Sequence, residues 1–397
     1  MTGTNRGLNQ ESVQDMNRTL LISLLRQEGI CSRVHLAKLS YLKQATVTNI
    51  MNDFIDWGIV KEVGFLIGEK GRRSIGISIN NDDYGVLGIR LARKNYTAGI
   101  FDLSGNMVDY QRDIVKKSQS ARETFDHIIN IAEGLINQTS QRRILAVGMA
   151  LPGPYSISRK RIELMTGVPG WEEISIQEEL QERFGLPVFI EQDANTGALA
   201  QYWHHGEKYL TDSMIYIAVG QGVGAGIIVN GELQRGCIGV AGEIGHMSID
   251  VNGEKCACGN YGCLEMYCSS IAFTREVNAA LSEEKEYFFP EVSQMVKAGR
   301  KEAVDIYLKC CDYLAAGVVN VINSFNPSTI VLGDEMAHVD PARMLERVKA
   351  RVKERSLPET YSNTEIIGSV IKEDSMVHGA AITAIRDIFR KPNDYFT

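Results

Sequence analysis

The chain has 397 residues, 44% apolar and 23% charged, the proportions of an ordinary globular protein with room for two or three domains. No apolar run reaches the roughly 18 residues of a membrane span, and the opening MTGTNRGLNQESVQDMNRT lacks the apolar centre of a secretory signal. The chain therefore reads as cytoplasmic, with no membrane partner. The net charge of −7 hides an asymmetry, because the first 80 residues carry ten basic and seven acidic residues and the other 317 carry 32 and 42. An acidic body repels nucleic acid, so any DNA contact must come from the first 80 residues.

In chain order, Met16, Leu20, Leu21, Leu24 and Leu25 recur at helical steps until Gly29, which predicts a first helix. A second, Arg33–Leu39, is capped by Ser32. A third, Gln44–Trp57, places Val47, Ile50, Met51, Phe54 and Ile55 on one buried stripe. Ile59–Val63 and Ser74–Ile79 follow as a strand hairpin, with Ile75, Ile77 and Ile79 on one face. Three short helices and a hairpin outline a winged helix-turn-helix, and 80–84 reads as a linker.

Beyond it, Val86–Leu91, Thr97–Asp102 and Met107–Val115 read as strands, and Arg122–Thr139 as a helix. Ile144–Leu151 is the near-continuous apolar run of a buried parallel strand. Helix Ile176–Phe184, strand Val188–Ile190 and helix Ala194–His204 complete a first set. A second opens with the strands Met214–Val219 and Gly224–Val229, closed by the turn Asn230–Gly231. It continues through Glu302–Phe325, Thr329–Leu332, Pro341–Glu354, Glu365–Ser369 and Met376–Arg390. Two hairpins, each with its own helices, predict a duplicated α/β body around a central cleft.

Eight cysteines are too few for a disulfide scaffold, and three of them crowd into CACGNYGC. His246, Cys256, Cys258 and Cys263 make the pattern H-x9-C-x-C-x4-C. One imidazole and three thiolates form a closed tetrahedral zinc site with no position left for water, a structural role. Buried, unlinked cysteines are the alternative. Cys31, Cys237, Cys268, Cys310 and Cys311 have no such pattern.

Upstream, in VAGEIGHMSID, Glu243 stands three residues before His246. The imidazole can hold zinc with one nitrogen and donate to a ligand with the other. Glu265 follows the last thiolate. Carboxylates and an imidazole around a cleft suit a hydroxyl-rich ligand, although the same groups would also steady a zinc loop. Asp193 falls where a predicted strand meets a helix, a place for a ligand-facing carboxylate or for an N-cap.

GMALPGP (148–154), VPGW (168–171), IEQDANTGA (190–198), VGQGVGAGIIVNGEL (219–233), AGEIGHM (241–247), CACGNYGCLE (256–265) and IVLGD (330–334) occur in the order of one family. With the N-terminal module, the chain resembles the ROK family (repressors, open reading frames and kinases), specifically its winged-helix branch of sugar-responsive transcriptional regulators. The resemblance implies an α/β chain: a winged helix-turn-helix followed by a two-lobed, actin-like (ribonuclease-H-like) body with a structural zinc. The boundaries expected are 1–82 for the DNA-binding module and linker and 83–200 for the first lobe, to which helix 376–391 returns. Residues 201–375 form the second lobe, with the zinc loop and a dimerisation surface. By the same resemblance Asp193, Glu243, His246, Glu265, Gly153 and Gln192 contact a sugar effector between the lobes. Gln192 and Gly167 depart from the Asn residues usual in the family's sugar kinases, which leaves the sugar unnamed.

Those kinases carry Asp-x-Gly-Gly-Thr-Lys on the first hairpin, where this chain has Arg90-Leu91-Ala92-Arg93-Lys94-Asn95. Without glycine the backbone cannot approach phosphate closely. Gln221 replaces a Thr of the second phosphate loop, and Gly333-Asp334 replaces Gly-Gly. The chain is therefore expected not to be an enzyme, with an ATP-dependent sugar kinase and a regulator controlled by a protein partner as the alternatives. Arg90, Arg93 and Lys94 read as a solvated hairpin end, or else as contacts to an anionic effector.

The third helix is the candidate recognition helix, with Gln44, Thr46, Thr48 and Asn49 toward the major groove. Lys43 and Arg33 suit phosphates, and Lys70, Arg72 and Arg73 resemble the family's basic wing, fitted to a narrow minor groove. A homodimer, or a tetramer built from it, on an inverted-repeat operator is expected, because one monomer reads too few base pairs.

Overall fold

The computed structural model describes residues 10–67, 73–116, 118–153, 155–156, 161–162, 170–205, 213–371 and 374–396. The N-terminal module is α1 (Gln10–Glu28), β1 (Cys31–Ser32), α2 (Arg33–Ser40), α3 (Gln44–Asp56), β2 (Val60–Ile67) and β3 (Arg73–Ile79), with the strands antiparallel in the order β1-β3-β2. Ser32 caps α2 by accepting from the His35 amide at 3.2 Å, satisfying a donor the helix cannot. Val47, Ile50, Met51 and Phe54 of α3 share a buried core with Leu21, Ile22, Leu24 and Leu25 of α1 and Leu36 of α2.

Two expectations fail here for physical reasons. Met16 and Leu20 are exposed, because α1 divides its buried face between its own module and the C-terminal helix. Ile75 is also exposed. The β2–β3 register shifts between Glu62 and Phe65, and a bulge of this kind re-aims the side chains beyond it.

The first lobe contains β4 (Tyr84–Leu91), β5 (Asn95–Phe101), β6 (Met107–Ile114), α4 (Ala121–Gln138), β7 (Arg143–Leu151), the short pair β8 (Tyr155–Ser156) and β9 (Arg161–Ile162), α5 (Ile176–Phe184), β10 (Val188–Gln192) and α6 (Asp193–His205). The second contains β11 (Met214–Val219), β12 (Val223–Val229), β13 (Glu232–Leu233), α7 (Glu265–Cys268), α8 (Ser270–Leu281), α9 (Phe289–Lys297), α10 (Lys301–Phe325), β14 (Thr329–Gly333), α11 (Pro341–Arg355), α12 (Pro358–Ser362) and β15 (Glu365–Gly368), and α13 (Ser375–Arg390) returns to the first. The sheets run β10-β7-β4-β5-β6 and β13-β12-β11-β14-β15. Each is an antiparallel three-strand meander extended by two parallel strands. The body is thus one plan used twice. Helices α7, α8, α9 and α12 were not anticipated.

Helices α6 and α13 lie together at the heart of the molecule, α13 against β4 and β7 of the first sheet and α6 against β11 and β12 of the second. Glycine makes this closeness possible. A Cβ on Gly379 of α13 would stand 1.7 Å from the Thr196 carbonyl oxygen of α6, and one on Gly148 of β7 would stand 1.8 Å from the Ala380 oxygen. Backbone touches backbone. Gly379→Ala should therefore cost about 3 kcal/mol or more by overpacking. Gly134→Ala, inside α4 with no atom of the described residues near its new Cβ, should gain about 0.5–1 kcal/mol. Urea denaturation of both variants checks this, and equal midpoints would show that the two helices separate freely.

Candidate functional site

The parallel strands of both sheets end at a common cleft. Arg90 comes from the end of β4, Gly153 from beyond β7, and Gln192 and Asp193 from the junction of β10 with α6. Gln221 comes from the β11–β12 turn and Asp334 from the end of β14, and a cavity of about 270 Å³ lies among them. The loop after β13 adds Glu243, His246, Cys256, Cys258 and Glu265 to the wall. Asp193, Glu243, His246, Glu265, Gly153 and Gln192, named from sequence, all line this one cavity.

Their contacts divide the labour. Gln192 Nε2 donates to Glu243 Oε1 at 2.6 Å, and the other Gln192 amide atom, Oε1, is buried without a hydrogen-bond partner among the described residues. Burial pushes the Glu243 carboxyl above its ordinary range, and the Gln192 hydrogen bond pulls it back. Asp193 opens α6 and accepts from the Ala194 amide at 2.7 Å, so it helps to cap the helix while facing the cleft. Burial raises its carboxyl too, against the pull of Arg90.

His246 faces two ways. Its Nε2 lies 3.8 Å from Glu243 Oε2, on the cavity side. Its Nδ1 lies 3.8 Å from Cys256 Sγ and 3.8 Å from Glu265 Oε1. Cys258 Sγ and Cys263 Sγ are 3.6 Å apart, and the four donor atoms of His246, Cys256, Cys258 and Cys263 lie within 4.8 Å of one another. A tetrahedral centre with Zn–S bonds near 2.3 Å has donor–donor edges of about 3.8 Å. The cluster can therefore hold a metal ion, and its donor set suits zinc. Cys31, Cys268, Cys310 and Cys311 are buried and unlinked, and Cys237 is exposed.

Arg90 corrects the sequence reading. It is neither a solvated hairpin end nor free for a ligand, since only 8% of it is exposed. Its Nη1 lies 2.9 Å from Asp374 Oδ2 and its Nη2 3.8 Å from Asp334 Oδ2. Asp374 also caps α13 by accepting from the Met376 amide. One guanidinium thus ties β4 of the first lobe to β14 of the second and to the start of α13. Burial pushes the Asp334 carboxyl up to about 7 even with Arg90 beside it. Arg93 lines the cavity, and Lys94 alone is exposed as expected. Periodicity missed this network; the available signal was a charge inside the otherwise apolar strand YGVLGIRL.

On the N-terminal module, Lys43, Gln44 and Asn49 are exposed and Thr46 and Thr48 half-buried. The Thr48 hydroxyl donates to the Gln44 carbonyl at 2.9 Å and is spent inside the helix. Arg33 pairs with Glu62 at 2.9 Å and reaches Asn52 at 3.3 Å, so it braces the wing rather than standing free for a phosphate. Arg73 opens β3 and is exposed, while Lys70 and Arg72 lie outside the described residues. The module meets the body where the Arg26 guanidinium of α1 stacks 4.1 Å over the Trp203 ring of α6. Trp203 is itself fixed by its indole N–H to the Ser104 carbonyl at 2.8 Å.

The ROK family model matches residues 86–387. A xylose repressor of Caldicellulosiruptor bescii is 28% identical over 397 residues, covering 97% of this chain and 99% of its own. A crystallised ROK family transcriptional regulator, a homolog of the E. coli MLC protein, aligns with a TM-score of 0.78 at 27% identity. That alignment covers 95% of this chain and 98% of the other. A ROK hexokinase from Thermus thermophilus aligns with a TM-score of 0.63 at 27% identity, over 77% of this chain and 99% of its own. The likeness to the two regulators thus takes in nearly the whole chain, and that to the kinase a smaller share.

Removing the central cation should strand its carboxylates. Arg90→Ala is expected to lose about 3–5 kcal/mol, the usual cost of breaking a buried pair. Asp334 gives the pH dependence. Its native pKa of about 7 exceeds the roughly 3.9 of an unfolded Asp, so between those values the native state holds the extra proton. Its contribution therefore falls as pH rises from about 4 to about 7. Urea stabilities across that range should show the parent losing ground to Asp334→Asn; a constant difference would refute the shift.

Proposed function

Because the chain belongs to the ROK family, we propose that it is a DNA-binding transcriptional repressor whose hold on its operator is set by a sugar in the interlobe cleft. The observation that carries this reading is the likeness to a xylose repressor over 97% of the chain, N-terminal module included. The N-terminal helices and hairpin then read duplex DNA. Gln44 and Asn49 reach base edges, Thr46 takes a thymine methyl or a phosphate, and Lys43 takes a phosphate. The Lys70, Arg72 and Arg73 wing enters the minor groove. A homodimer presents two such modules to an inverted repeat with half-sites about 34 Å apart or a multiple of that.

In the cleft, Asp193, Glu243, His246 and Glu265 accept from or donate to sugar hydroxyls, with Gln192 holding Glu243 in place and Gly153 forming the floor. His246 Nδ1 and the thiolates of Cys256, Cys258 and Cys263 would hold a structural zinc, which would supply a fixed charge beside the cleft. His246 is thereby pinned with Nε2 toward the cavity. The sugar acts by binding the DNA-free arrangement more tightly than the DNA-bound one, since a ligand with equal affinity for both shifts nothing.

A kinase reading has Asp193 in its favour, in the place of the family's catalytic base. Against it, Arg90 of the altered first phosphate loop is already matched by Asp374 and Asp334, and that loop lacks the glycines whose backbone would approach phosphate closely.

Two measurements test the proposal. Metal analysis should find about one zinc per chain, lost together with thermal stability in Cys256→Ser; a metal-free, stably folded parent would refute the site. For the switch, a duplex enriched by the chain from a randomised library is titrated with a panel of sugars. One sugar should release the parent, while Asp193→Ala should keep DNA affinity and lose the response by tenfold or more. Release by ATP turnover, or by a co-purifying protein instead of any sugar, would overturn the effector assignment.

A further inference from the structure

The turn between α2 and α3 spans Tyr41–Lys43, and its first residue has left-handed backbone, with φ 55° and ψ 15°. This is where a helix hands over to the next element, and glycine normally serves because a side chain in that conformation meets the neighbouring carbonyl. Here the residue is an aromatic one. The turn itself is otherwise well made. The Ser40 hydroxyl donates back to the Leu36 carbonyl at 2.7 Å and accepts from the Leu42 amide at 3.3 Å.

Among the described residues nothing recovers the strain. Tyr41 is 96% exposed, so its ring neither packs on a core nor caps a helix. Its place is specific, because it stands three residues before Gln44, beside exposed Lys43, at the N-terminal end of the candidate recognition helix. Backbone strain with no compensation among the described residues, at a ring left almost wholly exposed, points to compensation in a complex.

We infer that Tyr41 is an operator-binding residue whose phenol hydroxyl donates a hydrogen bond to a DNA backbone phosphate flanking the half-site, an inference that rests on the repressor reading above. Tyrosine is a regular phosphate donor, and such contacts set the register of a module on the duplex without reading sequence. The residue trades stability for grip. It anchors the end of the helix that carries Gln44 in its first turn and Asn49 in its second.

The test uses the full chain, as parent, Tyr41→Gly and Tyr41→Phe, with the library-enriched duplex and an unrelated mixed-sequence duplex. Tyr41→Gly should raise the urea midpoint while weakening both duplexes about five- to tenfold. Tyr41→Phe should weaken binding equally without gaining stability, which isolates the hydroxyl. All three should keep the same mass in solution. A parent that binds the enriched duplex while both variants match it overturns the inference and leaves the repressor reading standing. A parent that binds no duplex removes both. Loss of the oligomer in either variant would assign Tyr41 to a protein interface and overturn the DNA contact.

Discussion

A buried cation cannot stand alone, and the body of this protein is organised around satisfying one. Arg90 sits at the meeting point of β4, β14 and α13, with Asp374 at 2.9 Å and Asp334 at 3.8 Å and the charge of Asp193 close enough to bear on it. Desolvating a guanidinium is costly unless carboxylates surround it, so the two lobes must bring their strand ends together to make the arrangement tolerable. The same pairing shapes the cleft: Arg90 is already matched, and the wall it shares carries Arg93 beside the carboxylates of Asp193, Glu243 and Glu265.

The zinc-type cluster serves that cleft from the side. Its four donors are brought together by a single loop, and one of them, His246, belongs to both places: Nδ1 toward the thiols and Nε2 toward Glu243. A side chain shared in this way cannot rotate to suit a ligand without leaving the cluster. Rigidity at the donor set therefore becomes rigidity in the cavity wall.

What was legible in the sequence follows from distance along the chain. The metal donors lie within one short stretch, so their spacing alone identifies them, and the strand ends that carry Asp193 and Gly153 follow from apolar runs bounded by glycine. The Arg90 network left no such trace, because its partners come from remote segments and charge in a strand has no period. Arg33 looked free for the same reason: Glu62, its partner, lies across a sheet that only the folded hairpin assembles. Met16 and Leu20 misled because helical spacing reports an apolar face without saying which neighbour covers it. The helices α8 and α9 were legible, with buried Phe273 and Val277 four residues apart in one and Val292 and Val296 four apart in the other.

The contact of α6 with α13 at Gly379 has a mechanical consequence. With carbonyl oxygen and Cα pressed together, the helices cannot slip along one another, and α6 can move only by pivoting as a stiff rod. Its thirteen residues make it about 20 Å long. Any such pivot must also carry what holds Trp203 near the far end, the Ser104 carbonyl and the stacked Phe389 ring of α13. Arg26 of α1 rests on that ring, so a movement of α6 would be felt first at the joint between the N-terminal module and the body.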